Sequence, residues 1–263
     1  MTHIFISKKK VASKEELEEF AQNELGKEYD YLYRKFIYNL IGQGKVERIK
    51  NGIYYARDIF SEEETPPDKY LIASKIRPRY YLGYHTALEL LGCAQSVDNN
   101  SYICVDLKGR FKPFSYGNQR FIPSIVNDLT TEVVRRKVGT SEVMTSSPSR
   151  TFVECIQRPD LCIGYEEVYK SLESMVGVNI EGLLLVLELY GKRSLYRSVG
   201  FFLEELKNGS PYYSHIEDCD LQRIHERIGN GRSYLVKGTK GDFVKRWNLY
   251  IPRGFRDLFL GVR

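Results

Sequence analysis

A chain of 263 residues, 42% hydrophobic and 28% charged, can bury one large core or two modest ones, and two domains are expected. No apolar run approaches the roughly eighteen residues that span a bilayer, and "MTHIFISKKK" places its lysines after a short apolar patch, the reverse of a secretory signal; the expectation is a cytoplasmic protein without a membrane partner. The net charge of +5 is too slight to mark a nucleic-acid binder, but from Arg223 onward ten basic residues face three acidic ones, which favours an acidic partner for that tail.

Cys93, Cys104, Cys155, Cys162 and Cys219 form no C-x-x-C pair, and His3, His85, His215 and His225 show no zinc-finger spacing. Buried free thiols are expected, with no metal and no cofactor.

In chain order, Ser13-Lys14-Glu15-Glu16 is a capping box that should start a helix with Leu17, Phe20, Ala21 and Leu25 on its apolar stripe and Gly26 as its stop. The lead before it shows no obvious helix of its own. A second periodic stretch, 29–41, puts Leu32, Phe36, Ile37, Leu40 and Ile41 on one face and Tyr31, Arg34, Lys35, Tyr38 and Asn39 on the other. Gly42 and Gly44 end it. "GKVERIKNGIYY" then reads as a hairpin turning at Asn51-Gly52, because both residues tolerate positive φ. Helix, helix, two-stranded wing is the tail of a winged helix-turn-helix. "SEEETPPDKY" follows as an interdomain linker over 61–68.

Beyond it, 70–76 reads as helical and "YYLGYHTALELLG" as a short extended entry into a helix closed by Gly92. "SYICVDL", "QRFIPSIV", "TEVVRRKV" and "SEVMTSS" are β-rich, and helices are expected over 149–157, 165–175, 180–190, 194–207 and 216–227, with extended pieces near 233–237 and 247–251. Strands first and helices later give an α+β class: a winged helix-turn-helix over 1–60 and a larger mixed α+β domain over 69–263.

A recognition helix buries one face and offers donors on the other to the major groove. Arg34 and Lys35 supply charge there, while Tyr31, Tyr38 and Asn39 can reach phosphates or bases. Lys45, Arg48, Lys50 and Asn51 on the wing would touch backbone or minor groove. Lys237, Lys240, Lys245, Arg246, Arg253 and Arg256 form a second basic surface. The acids Glu15, Glu16, Glu18 and Glu19 leave the first sixty residues nearly balanced in charge, so a winged helix that docks protein is the alternative.

For catalysis there is no G-x-S-x-G, P-loop or dinucleotide fingerprint. Glu205-Leu206-Lys207 has the E-x-K form of a metal-dependent nuclease, with an upstream Asp such as Asp160 as its partner, but that form arises easily in any charged helix, and a nuclease would want it on a strand. His85 could act as a base or serve as a core histidine. Arg150, just inside the helix that Ser147-Pro148 opens, could pin the preceding strand or reach a partner.

"SPSRTFVECIQRPDLCIGYEEVYKSL", with the hairpin and "YYLGYHTALELLG", resembles the AbiEi family of antitoxins and transcriptional regulators from type IV toxin–antitoxin systems. The pattern is an S-P-x-R-T helix start at Ser147, Pro148, Arg150 and Thr151, then R-P-D-L at Arg158, Pro159, Asp160 and Leu161, then Gly164, Glu166, Glu167 and Val168. The likeness extends over about residues 10–205. It implies a non-enzymatic repressor that binds inverted repeats of double-stranded DNA in its own promoter. It also implies an antitoxin that counters a nucleotidyltransferase-like toxin without needing a stable complex. Family C-terminal domains are compared with restriction-endonuclease-like folds lacking catalytic carboxylates, so a nuclease remnant or a stand-alone regulator are the other readings.

Overall fold

The structure, a computed structural model, describes residues 1–57, 66–239 and 241–260 and is mixed α+β. It opens with a helix the sequence does not announce, α1 (Thr2–Lys9), which buries only Thr2 and Ile6 and stacks Phe5 on Phe20 at 4.4 Å. So short a helix has little stability alone. It exists because the next helix gives it a surface. After β1 (Val11–Ser13), α2 (Lys14–Leu25) carries both hydrogen bonds of the expected capping box and stops at Gly26, φ 61°. α3 (Tyr29–Leu32), a π-helical turn (Tyr33–Ile37) and α4 (Tyr38–Gly42) form one continuous rod. β2 (Val46–Lys50) and β3 (Ile53–Ala56) follow as a hairpin, and β1 pairs antiparallel with β3 to give the order β1-β3-β2. Ile6, Leu17, Ala21, Leu32, Ile37, Val46 and Tyr54 fill the core between these elements.

Residues 61–65 of the expected linker lie outside the described residues. Asp68 then accepts from the Tyr70 and Leu71 N–H groups and starts α5 (Lys69–Ser74). β4 (Tyr81–Leu82), α6 (Tyr84–Leu91), β5 (Asn100–Val105), β6 (Phe114–Tyr116), β7 (Gln119–Ile125), β8 (Val133–Val138) and β9 (Ser141–Ser146) build a sheet of order β6-β7-β5-β4-β9-β8. Pairing alternates: β5 runs parallel to β7 and β4 parallel to β9, and the other neighbours are antiparallel.

Both faces of the central strands are covered, which is why "SYICV" reads as unbroken apolar sequence. On one face Tyr81, Tyr102 and Cys104 meet α6, α7 (Pro148–Gln157), α8 (Tyr165–Glu173), α9 (Ile180–Tyr190) and α10 (Arg193–Gly209). On the other, Leu82, Ile103, Val105, Phe121 and Val143 join Leu71, Ile72 and Ile76 of the α5 region, and Val11, Ile49 and Ile53 of the first sheet complete that cluster. The N-terminal elements therefore share a core with the second sheet. The chain ends with α11 (Asp218–His225), β10 (Ser233–Tyr234), β11 (Gly241–Val244), β12 (Leu249–Pro252) and α12 (Asp257–Leu260). Trp247, fully buried, lies flat on α10 at Gly200, where a Cβ would sit 2.1 Å from the indole.

Arg150 is 1% exposed and does not reach a partner. Its Nε donates to Glu154 Oε1 (2.8 Å), Nη1 to Thr131 O (2.6 Å) and Asp128 Oδ1 (3.2 Å), and Nη2 to Tyr81 OH (2.8 Å) and Asp128 O (2.9 Å). Tyr81 and Tyr190 each donate a hydroxyl to Glu154 Oε1, at 2.6 and 2.8 Å. Removing one charge of a buried pair strands the other. Arg150→Met should thus cost about 3–5 kcal/mol in urea unfolding, while Arg150→Met with Glu154→Leu should recover most of that loss; equal destabilisation by both variants would show that the charges are not coupled.

Asp128 gives a pH signature. Burial would raise its pKa, but hydrogen bonds from the Thr131 N–H and from Thr130 outweigh it and lower it from 3.8 to about 2. A depressed folded-state pKa contributes stability above pH 3.8 that is lost as the pH falls toward 2. Asp128→Asn should flatten the stability–pH curve in that window and leave its slope above pH 5 unchanged, read by denaturation at stepped pH.

Candidate nucleic-acid interface

The rod over 29–42 sets which side chains face out. Tyr38 N–H donates to Tyr33 O, five residues back, the mark of a π-helical turn. Leu32 and Ile37, also five apart, are both fully buried, so the turn keeps them over one another on the core side. The sequence expectation that Phe36 lies on that face is corrected here: the extra residue in the turn rotates it outward to 38% exposure, and Leu40 and Ile41 are only half-buried. Regular 3.6-residue periodicity cannot reveal an inserted residue, so no sequence signal marks this site.

Tyr31, Arg34, Lys35, Tyr38 and Asn39 are all exposed, as their spacing predicts, with Phe36 edge-on to Tyr31 at 6.3 Å. Lys27 adds a cation 5.8 Å from the Tyr31 ring centre. Arg34 meets Asp30 only at 3.9 Å with both side chains in solvent, a pairing worth little. Asn39 Nδ2 donates to Lys35 O. The face thus offers three cations, several hydrogen-bonding groups and three aromatic rings to a ligand.

The hairpin answers differently. Gly52 alone takes positive φ (85°); Asn51 does not, and the strand register shifts between Arg48 and Lys50. Arg48 and Asn51 are exposed and Lys45 is half-buried. Lys50, expected at a nucleic-acid backbone, instead turns into the molecule: its Nζ stands 4.1 Å from the Phe114 ring centre and 5.1 Å from Phe111. Burial, then the nearby Arg77, lower its pKa below the usual lysine range. The cause is tertiary. Ile49 and Ile53 pack on the second sheet, so the hairpin tip arrives beside the β6 aromatics. Glu16 reaches the same junction, accepting from Lys75 Nζ at 2.7 Å.

The second basic surface is partly neutralised. Arg246 pairs with Glu204, which also accepts from the Trp247 indole N–H, and Arg256 Nε donates to Glu205 at 3.1 Å. Lys237, Lys245 and Arg253 are exposed, and Lys240 lies outside the described residues. Glu205 and Lys207 sit on α10 rather than on a strand, Lys207 pairs with Asp218, and Asp160 is held by Arg158 at 2.7 Å. Among the described residues no His, Cys, Asp and Glu side chains group as metal ligands. His85 is fully buried, 3.7 Å from Glu89 and 3.5 Å from Glu167, with neither ring nitrogen in a hydrogen bond. Four cysteines are buried thiols, and Cys219 is exposed. No helix among the described residues is long and apolar enough to cross a membrane.

No known protein family and no curated protein matches this chain. Among solved structures it is similar to the RV2827C protein from Mycobacterium tuberculosis, at 16% identity over 96% of this chain and 89% of that one, with a TM-score of 0.63. At that identity the likeness speaks for the fold alone.

The position of Lys50 can be checked by a double-mutant cycle. Lys50→Met and Phe114→Leu should couple by about 0.5–1 kcal/mol in chemical denaturation, the size of a partly exposed cation–π contact. Strict additivity would place the lysine elsewhere in solution.

Proposed function

We propose that this chain is a DNA-binding transcriptional repressor of the AbiEi type, an antitoxin whose N-terminal winged helix reads its own promoter. The observation that carries the reading is the outward face of the 29–42 rod: Tyr31, Arg34, Lys35, Tyr38 and Asn39 stay exposed although the rest of the N-terminal unit packs against the second sheet through β1 and the hairpin. The order of elements supports it as well. Helix, strand, two helices and a hairpin closing on the first strand is an order compatible with a winged helix-turn-helix, with α1 as a candidate for its first helix. The wing reading narrows to Arg48, Asn51 and Lys45, since Lys50 is engaged inside the molecule.

The antitoxin part rests on the resemblance of the 147–172 segment. In the fold two of its side chains are structural: Arg150 holds the core, and Glu167 accepts from Gln95, Ser96 and Ser171. Arg158, Asp160, Ile163, Glu166 and Lys170 of the same segment are exposed.

A protein-docking role has its own observation. Tyr31 (45% exposed), Phe36 (38%) and Tyr38 (65%) bring three aromatic rings onto the same face as the cations. Salt dependence separates the two. In fluorescence-anisotropy titrations against the upstream DNA, Arg34→Ala and Lys35→Ala should each weaken binding and reduce the slope of log K against log salt by about one unit, whereas Lys50→Ala should leave the slope unchanged. Binding that ignores salt and sequence, with loss of a protein partner in Phe36→Ala, would favour docking instead.

A further inference from the structure

The tip of the β2–β3 hairpin abuts a loop of the second sheet that is itself basic. Over 77–79 and 106–112 the chain carries Arg77, Arg79, Lys108, Arg110 and Lys112 against one carboxylate, Asp106. The two segments are some thirty residues apart in sequence and adjacent in the fold. Arg77 Nε donates to Gly109 O at 2.8 Å, and its guanidinium carbon lies 5.4 Å from the Phe111 ring centre. Lys50 of the hairpin stands 5.1 Å from the centre of the same ring.

The β5–β6 loop is held in place by these contacts. Asp106 Oδ1 accepts from the Gly109 N–H at 2.7 Å, and Phe111 is 7% exposed beneath Arg77 and Lys50. With Phe111 turned inward, Lys108, Arg110 and Lys112 are all exposed, and among the described residues none of the three pairs with a carboxylate. Arg79 is exposed as well, and Asp106 comes no nearer to it than 4.0 Å, a pairing worth little. Like charges gathered on an ordered loop repel one another, a cost that a polyanion bound across them removes.

We propose that Lys108, Arg110 and Lys112, with Arg79, form a phosphate-contact surface that continues the hairpin and holds the backbone of duplex DNA. The proposal rests on the DNA-binding reading above and adds to it a surface from the second sheet. Lys50 is engaged by Phe111 and Phe114, so the hairpin tip lacks the cation that a wing would lay on the backbone, and the loop beneath it carries three. Charge complementarity selects a polyanion. Adjacency to the hairpin, where Arg48 and Asn51 are exposed, selects a duplex over an acidic protein. Contacts of this kind fix the position of the backbone and read no bases.

The test titrates the full chain with its upstream duplex, a scrambled duplex of equal length and polyglutamate, by fluorescence anisotropy at several salt concentrations. Combining Lys108→Ala, Arg110→Ala and Lys112→Ala should reduce the slope of log K against log salt by about two to three units and weaken both duplexes alike, by about tenfold or more, without lowering Tm. An unchanged slope in that variant, while Arg34→Ala lowers it, would overturn the loop surface and leave the rod as the DNA contact. Failure of the unaltered chain to bind either duplex would overturn both readings together. Polyglutamate held as tightly as duplex, and lost equally in the triple variant, would make an acidic protein the occupant and overturn the proposal.

Discussion

A guanidinium taken out of water must place each N–H against an acceptor, and Arg150 does so using three separated parts of the chain. Its acceptors come from Tyr81 on β4, Asp128 and Thr131 before β8, and Glu154 one turn along α7, and Tyr190 on α9 closes the group from outside. Each of those elements has its own apolar contacts, which are non-directional. The charge network fixes which strand meets which helix and at what height, because a shift of one residue would leave a buried carboxylate or guanidinium unmatched. Glu154 Oε2 is left without a partner, and a Cβ on Gly83 would lie 3.4 Å from it. Closeness here is thus held by the absence of a side chain as well as by hydrogen bonds.

That central strand layer also decides how the N-terminal unit can face outward. β4 and β5 alternate their side chains between two buried clusters, one under the helices and one shared with β1 and the hairpin. Because the N-terminal unit docks through its sheet, its helical rod is left on the far side. The hairpin tip is consumed by the junction and the rod is not. On the proposed DNA-binding reading, the hairpin tip would contribute less contact, and the rod with Arg48 and Asn51 would carry more of it.

Much of this was legible in the sequence where a local rule suffices. The capping box at Ser13, the stop at Gly26, the four β-rich runs of the large sheet and the helices over 149–157 and 180–190 follow from caps, glycines and periodicity that act within a few residues. What was not legible depends on contacts distant in sequence. α1 is a helix because Phe20 offers a ring to Phe5. Phe36 is outside because the rod gains a residue per turn at one place. Lys50 points inward because Phe114, more than sixty residues later, lies beneath it. Arg150 could be singled out from its place in the helix start, but its role as a core charge required the loop at Asp128 to be folded beside it.

Net charge hides the distribution that matters. Of the cations in the described residues, Lys50, Lys75, Arg150, Arg246 and Arg256 are held by rings or carboxylates within the fold and cannot attract a partner without unmaking those contacts. The basic C-terminal tail is weakened as an interface for that reason: Glu204 and Glu205 on α10 take up two of its arginines. Other cations stay exposed, among them Arg34 and Lys35 on the N-terminal rod, where Asp30 comes no nearer to Arg34 than 3.9 Å. That pair lies on an exposed face with aromatic neighbours, Tyr31, Phe36 and Tyr38, an arrangement that would suit an extended polyanion.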